Sequence, residues 1–491
     1  MYRVSAELYL RALGLVYVAA FVSFGIQVEG LIGDEGVRPA SLTMTLVSRQ
    51  LPGGLSGWLQ FPTLGWWVGG GEGALHGTWI VGAACGALMM LGVAPLFTAS
   101  AALISYLSLV VLGREFMAYQ WDNLLLEAGL IALVLAPLRL APARALSRPP
   151  MFAAIALHHL LVVRLVVSSG ISKIASGDVE WSELRALRYH FETQPLPTWI
   201  GWWAHQLPSD LLALATAATF VAQLVLPLLA FFPGRARWVA AGAIGGHQLL
   251  IALTGNYGFF NLLTLALVIP LLDDDVWRRL RPWRGVGERP SAAAPSATPA
   301  ASSPSRARAW ICSPVIATYV VASALTLATT LRLDGTPSPT ARTFLSALQP
   351  FRVVNSYGLF AWMTRTRDEL TLEGSLDGVA WRPYLFRYKP GPLDRAPPFV
   401  APHMPRLDWQ MWFAALGRPE QSPWLVPLFE RLRAGSPSVI ALFEHDPFAA
   451  DGPPTRLRLR SSRYTMTGPD ERAATGMHWR STEPRLYYGD P

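Results

Sequence analysis

Up to residue 331 the chain is a succession of apolar blocks, each about as long as a bilayer is thick. A helix needs roughly 20 mostly apolar residues to cross the hydrocarbon core. Backbone polar groups there must be paired within a helix or a closed barrel. Blocks 8–28, 77–93, 95–112, 124–140, 151–172, 210–232, 238–254, 258–272 and 311–331 predict a polytopic α-helical membrane protein with nine spans. Eight is the alternative, because 77–93 and 95–112 meet at Pro95 with almost no loop. They form either a tight helical hairpin or one long bent element. The first block begins near Arg3 and Arg11 like a signal peptide, but it is too long and lacks a small-residue cleavage site.

Composition agrees. Hydrophobic residues make up 52% and charged residues 15%, against about 25% charged in soluble domains. A soluble enzyme and a disordered chain are both excluded. The net charge of +8 sits mainly in loops rather than on an aromatic, basic face, so no nucleic-acid partner is expected. Lys173 and Lys389 are the two lysines among 41 basic residues, a usage that points to a GC-rich, bacterial genome. Cys85 and Cys312 lie in or beside apolar blocks and read as small core residues, excluding a disulfide framework and a Cys-based zinc site.

Basic loop residues set orientation. With the N-terminus inside, inner loops hold 14 Lys and Arg and outer loops six. Nine spans then place the C-terminal region outside.

Four units are expected. Residues 1–284 form the helical bundle, 285–310 a disordered cytoplasmic linker rich in Pro, Ala and Ser, and 311–331 the last span. Residues 340–491 form an extracytoplasmic β-rich domain with helical insertions. In it, 371–373 and 381–387 flank Asp377-Gly378, a hairpin-turn signal. Segments 455–459 and 463–467 read as two further strands, 407–416 and 424–433 as helices.

Ionisable residues inside a membrane are costly and mark candidate sites. Glu127, Arg164, His247 and Asn261 fall within roughly 15 Å of the outer surface at about 1.5 Å per residue. They could line a cavity opening outward. Equally, Glu127 and Arg164 could be an ion pair locking two helices, and His158 and His247 interhelical hydrogen-bonders. Adjacent His158 and His159 point about 100° apart with no carboxylate at helical spacing, so no metal site is expected. Lys173, at the outer end of 151–172, either snorkels or serves as a base. His190, Glu192 and His205 are either plain residues of a Pro-stiffened loop or part of a polar vestibule with Lys173 and Asp122. Trp381, Trp409 and Trp412 read as core aromatics.

Several literal stretches stand out: Tyr119 to Gly129 (YQWDNLLLEAG), Ser169 to Lys173 with Gly177-Asp178 and Trp181, Tyr189 to Pro197, and Trp203 to Pro208. Gly255 to Asn261 with Leu272 to Asp274, Glu373 to Ser375, Arg387 to Gly391, Pro402-His403 and Arg406 to Trp412 join them. Together, from about 110 to 490, they resemble the lipase maturation factors. In animals that family implies a polytopic endoplasmic-reticulum protein assisting secreted dimeric lipases, with a lumenal C-terminal region that contacts the client. Here it implies a maturation factor of the bacterial inner membrane with its C-terminal domain periplasmic. Its partners would be an exported client such as a lipase and membrane lipid, with no cofactor. Gln120, Trp121, Arg164, His190, Glu192, Gln194, His205, Asn256, Asn261, Trp409 and Trp412 would line a cavity or meet the client. A shorter likeness joins Ser169-Gly170, Lys173 and Trp181 to the vitamin K-dependent gamma-carboxylases. It implies the alternative, a membrane-embedded enzyme acting on a quinone or lipid, with Lys173 as base and Asp122, Glu127 and His247 assisting. A transporter lacks its signs, paired broken helices and inverted halves.

Overall fold

All nine apolar blocks are helical in the computed structural model, which describes residues 2–279, 306–331 and 338–490. The helices are α1 (Arg3–Gly25), α2 (Glu72–Leu91), α3 (Pro95–Gly113), α4 (Gln120–Leu135), α5 (Phe152–Ser176), α6 (Ser209–Phe220), α7 (Arg235–Thr254), α8 (Phe260–Val268) and α9 (Arg306–Leu331). Six stretches among the described residues are long and apolar enough to cross a membrane: α1, α2, α3, α5, α6 with its continuation to Phe231, and most of α9. The chain is a polytopic helical membrane protein. The other three fall short for visible reasons. Pro137 follows the end of α4, Pro270 turns the end of α8 into a 3-10 turn, and α7 carries Arg235, Arg237, His247 and Gln248.

The junction at Pro95 is a tight hairpin. Gly92 and Ala94 take left-handed backbone and Pro95 opens α3 at its first turn, where its missing N–H costs nothing. α2 lies along α1 because both present glycine at the crossing. A Cβ on Gly14 would stand 2.5 Å from the Met90 nitrogen and 2.7 Å from the Gly86 oxygen. Small residues let backbones approach this closely.

The end of the bundle with the most Arg is tied by carboxylates. Asp274 accepts from the Arg3 and Val4 amides at 2.9 and 2.8 Å, satisfying the open first turn of α1. Glu7 is clamped by Arg11 and Arg139. The linker expectation falls almost wholly on 280–305, outside the described residues; its last residues, 306–310, are already α9.

The C-terminal region holds a five-stranded antiparallel sheet: β1 (Arg367–Ser375), β2 (Arg382–Tyr384), β3 (Arg456–Met466), β4 (Trp479–Ser481) and β5 (Arg485–Gly489). The order is β2-β1-β3-β4, with β5 also on β3. Gly378 turns the β1–β2 hairpin with a φ of 78°. The two strands expected at 455–459 and 463–467 are one. Arg460, Ser461 and Ser462 look like a break, but they pair with β1 along its length, and β5 joins at Arg460 and Ser461. Helices α10 (Arg406–Ala415) and α11 (Leu425–Arg433) cover the sheet. Leu370, Leu372, Leu457 and Leu459 belong to the same contiguous core as the buried residues of α1 and α4. The sheet domain sits on the bundle end formed by 28–39, 114–123, 178–208 and 254–260.

Candidate functional site

The site residues read from the sequence fall into three separate places. The first is the seam between bundle and sheet domain. α4 begins at Gln120, earlier than expected, so Asp122 stands in its first turn, where the helix dipole favours a carboxylate. Asp122 receives Arg406 Nη1 at 2.6 Å and Nη2 at 2.8 Å, and the Tyr106 hydroxyl at 2.6 Å. All of it is buried. Burial alone would lower the Arg406 pKa, yet the charge of Asp122 outweighs it and pushes the net shift upward. Trp121 packs between Tyr119 (ring centroids 4.8 Å) and Trp409 (4.9 Å). Gln120 Oε1 accepts from the Gly358 amide at 3.1 Å.

The Pro-rich loop is strapped to the same seam. Arg367 donates to the carbonyls of Glu192, Gln194 and Pro195. Glu192 accepts from the Met466 amide at 2.7 Å and stands 3.7 Å from His205. Trp412 donates to the Thr193 carbonyl at 3.0 Å. Gln194 bridges Thr254 and Tyr257. Asn256 donates to Pro398 at 2.8 Å and accepts from Val400 at 2.7 Å. Asn261 stays inside the bundle and donates to Gln248 Oε1 at 2.8 Å. These polar groups are largely spent on protein partners.

The second place is a knot around Glu127, which pairs with Arg164. It also accepts from Tyr319 of α9 at 2.7 Å, Tyr357 at 2.5 Å and the Asn355 amide at 3.3 Å. Arg164 reaches Ser323 at 3.1 Å. Of the two readings held open, the structure forms the ion pair.

The third place is a cavity of about 100 Å³ at the end of α5, room for several waters. Lys173 lines it and donates to the carbonyls of Ser169 (2.9 Å) and Leu359 (3.0 Å), its ammonium 5.1 Å from the Trp181 ring centroid. His190 and His247 join Lys173 here. Burial, then the charge of Lys173, push the His190 imidazole down to about 4, so it is neutral at pH 7. Its Nε2 lies 3.1 Å from the Tyr257 hydroxyl. Asp122 and Glu127 do not line this cavity, so the arrangement of Lys173 with both carboxylates is not assembled. His158 is buried against Tyr9 (4.0 Å), and among the described residues no three His, Cys, Asp or Glu gather as a metal would require.

Sequence reasoning missed Arg367, Tyr319, Asn355 and Gln223, and it held Arg406 only as part of the likeness, without a role. Gln223 had one signal. Pro227 removes an N–H and crowds the carbonyl four residues back, and α6 passes there into a π turn over 221–225. Such turns often mark functional positions.

Residues 4–279 match the family described as "Lipase maturation factor transmembrane domain", and residues 353–488 the family described as "Lipase maturation factor C-terminal domain". "Lipase maturation factor 2" of Gallus gallus is 33% identical over 99% of this chain and 82% of its own. The Homo sapiens protein of that name is also 33% identical, over 100% and 83%. "Lipase maturation factor 1" of Bos taurus is 30% identical over 96% and 86%. No solved structure matches. These comparisons lend no support to the membrane-enzyme alternative.

Proposed function

This chain belongs to the lipase maturation factor family, and from that premise we propose that it is a membrane-bound factor assisting exported lipases to fold or assemble. The observation that carries this reading is that both halves match the family and most of the chain aligns with relatives of that name. The sheet domain is the part that meets the client, and the bundle is its anchor. The seam around Asp122, Glu192, Gln194, Asn256, Trp409 and Trp412 holds the one on the other. All nine apolar helices count as crossings in this reading, with the N-terminus inside a bacterial inner membrane and the sheet domain periplasmic. Two facts favour that orientation: the seam is built from loops assigned outside and the helix segments next to them, and Arg3, Arg11, Arg139 and Arg237 lie towards the opposite end.

The test is deletion of the gene in its host, with secreted lipases assayed for activity per unit of lipase protein. A fall for at least one lipase, restored by the intact gene, is expected. Equal specific activity of every secreted lipase overturns the reading.

A further inference from the structure

Lys173 is a buried lysine with no acidic partner among the described residues. Its side chain is nearly excluded from solvent, yet it forms no ion pair among the described residues. The other lysine, Lys389, is equally buried and pairs with Glu369 at 2.6 Å. Burying a charge is costly unless it is both paired and hydrogen-bonded. The two carbonyls and the Trp181 face that meet Lys173 supply partial charge only. They leave one of its three N–H donors unassigned.

The remaining polar groups of the cavity point to the same deficit. None of its lining residues is acidic. Gln223, itself over nine-tenths buried, spends one end of its amide on His247 at 3.3 Å, and its other end has no partner. Leu165, Val166 and Phe260 are among the apolar residues of the wall, beside the neutral polar side chains of Ser169, Thr219, Gln248 and Tyr257. The rim residues Thr219, His247 and Ile251 are half-buried. They sit on α6 and α7, whose Leu214, Leu250 and Leu253 are exposed and so face lipid in a membrane. The rim of the cavity therefore lies on helices that meet lipid.

We propose that this cavity binds a single-chain amphiphile, seating its anionic headgroup on Lys173 and its first methylenes against Leu165, Val166 and Phe260. The shared chemistry is an oxyanion on one acyl chain, from a long-chain carboxylate or a lysophospholipid-type phosphomonoester. The enclosed volume takes a headgroup and the start of one chain, and the rest of the chain lies against α6 and α7. This proposal stands whether or not a lipase is the client.

The experiment uses the full-length detergent-purified protein and tritiated palmitate in a scintillation-proximity assay. Palmitoyl lysophosphatidate and hexadecanol serve as competitors. Saturable binding, displaced by unlabelled palmitate and not by hexadecanol, is expected if the source is a carboxylate. Tritiated lysophosphatidate binding saturably where palmitate does not assigns the headgroup to phosphate and also supports the site. Lys173→Met should weaken binding at least tenfold. If that variant does not fold, Ile251→Trp, which fills the rim and keeps the charge, should weaken binding by a similar factor. Hexadecanol competing as well as palmitate overturns the proposal, because the cavity would then be only apolar. Absence of saturable binding by either amphiphile, or wild-type affinity in the folded variants, overturns it as well.

Discussion

Asp122 and Arg406 lie 284 residues apart in sequence and form a two-pronged ion pair at 2.6 and 2.8 Å, neither side chain exposed to solvent. One belongs to the first turn of a bundle helix, the other opens a helix of the sheet domain. Bidentate geometry makes this a directional joint. It fixes the angle between the two halves as well as their contact.

Removing one partner of a buried pair strands the other charge, at a cost of about 3–5 kcal/mol. Asp122→Asn and Arg406→Met should each lower the melting temperature of the detergent-solubilised protein and expose the 395–406 segment to protease. The Asp122→Leu/Arg406→Leu double variant should be more stable than either single variant. Singles that melt like the wild type would show that the pair holds nothing.

Glu127 gathers donors from α5, α9 and the 355–357 segment. Glu127→Gln leaves the Arg164 charge uncompensated, again at about 3–5 kcal/mol. It should also release residues 352–358, read as faster amide exchange there. Unchanged exchange in that segment would separate it from the knot.

Two groups at the seam oppose each other in acid. The Ser23 hydroxyl accepts from the Met404 amide at 2.7 Å and lies 3.1 Å from His403 Nδ1. Burial, with the nearby Arg406 charge, pushes His403 down to about 4. A base depressed on folding contributes stability that is lost as pH falls from its ordinary value of about 6.5 through that folded value. Asp408 runs the other way. Burial raises its carboxyl to about 6 despite the amides of Lys389 and Tyr388. Its ionisation therefore costs stability as pH rises from about 4 to 6. Asp408→Asn should be more stable than wild type at pH 7 and should steepen the acid loss, whereas His403→Asn should flatten it. Parallel pH–melting curves for all three proteins would contradict both assignments.

At the α1–α2 crossing, Gly14→Leu has backbone on the opposite side with nowhere to move. Overpacking of this kind costs about 1–3 kcal/mol. The melting temperature should fall, while Gly242→Ala, on an open face of α7, should leave it unchanged. Equal effects of the two would remove the crossing as a tight contact.

What could be read beforehand was whatever depends on local pattern. Apolar length placed nine helices, Asp377-Gly378 placed a hairpin, and the helices expected at 407–416 and 424–433 are α10 and α11. The resemblance in 119–129, 189–197 and 255–261 named a family that comparison over the whole chain establishes. What was hidden depends on partners far away in sequence. Asp122, Glu127 and Lys173 look alike as charges in or beside the outer ends of apolar blocks, yet one meets Arg406, one meets Arg164 and one meets only carbonyls and a ring. No periodicity encodes that difference. The break expected within β3 failed for a related reason: partners from β1 and β5, distant in the chain, hold Arg460 to Ser462 extended.

The two carboxylates on α4 also differ in when they are neutralised. Arg164 is synthesised 37 residues after Glu127, which at 5–20 residues per second is about 2–7 s. Arg406 follows Asp122 by 284 residues, or about 14–57 s on the same scale. The bundle can therefore lock its inner pair while still on the ribosome, but Asp122 waits for its Arg406 counter-charge until most of the chain has been made. A chain cut short before residue 406 lacks the guanidinium that pairs with Asp122 and keeps only the Tyr106 hydroxyl as its side-chain partner there.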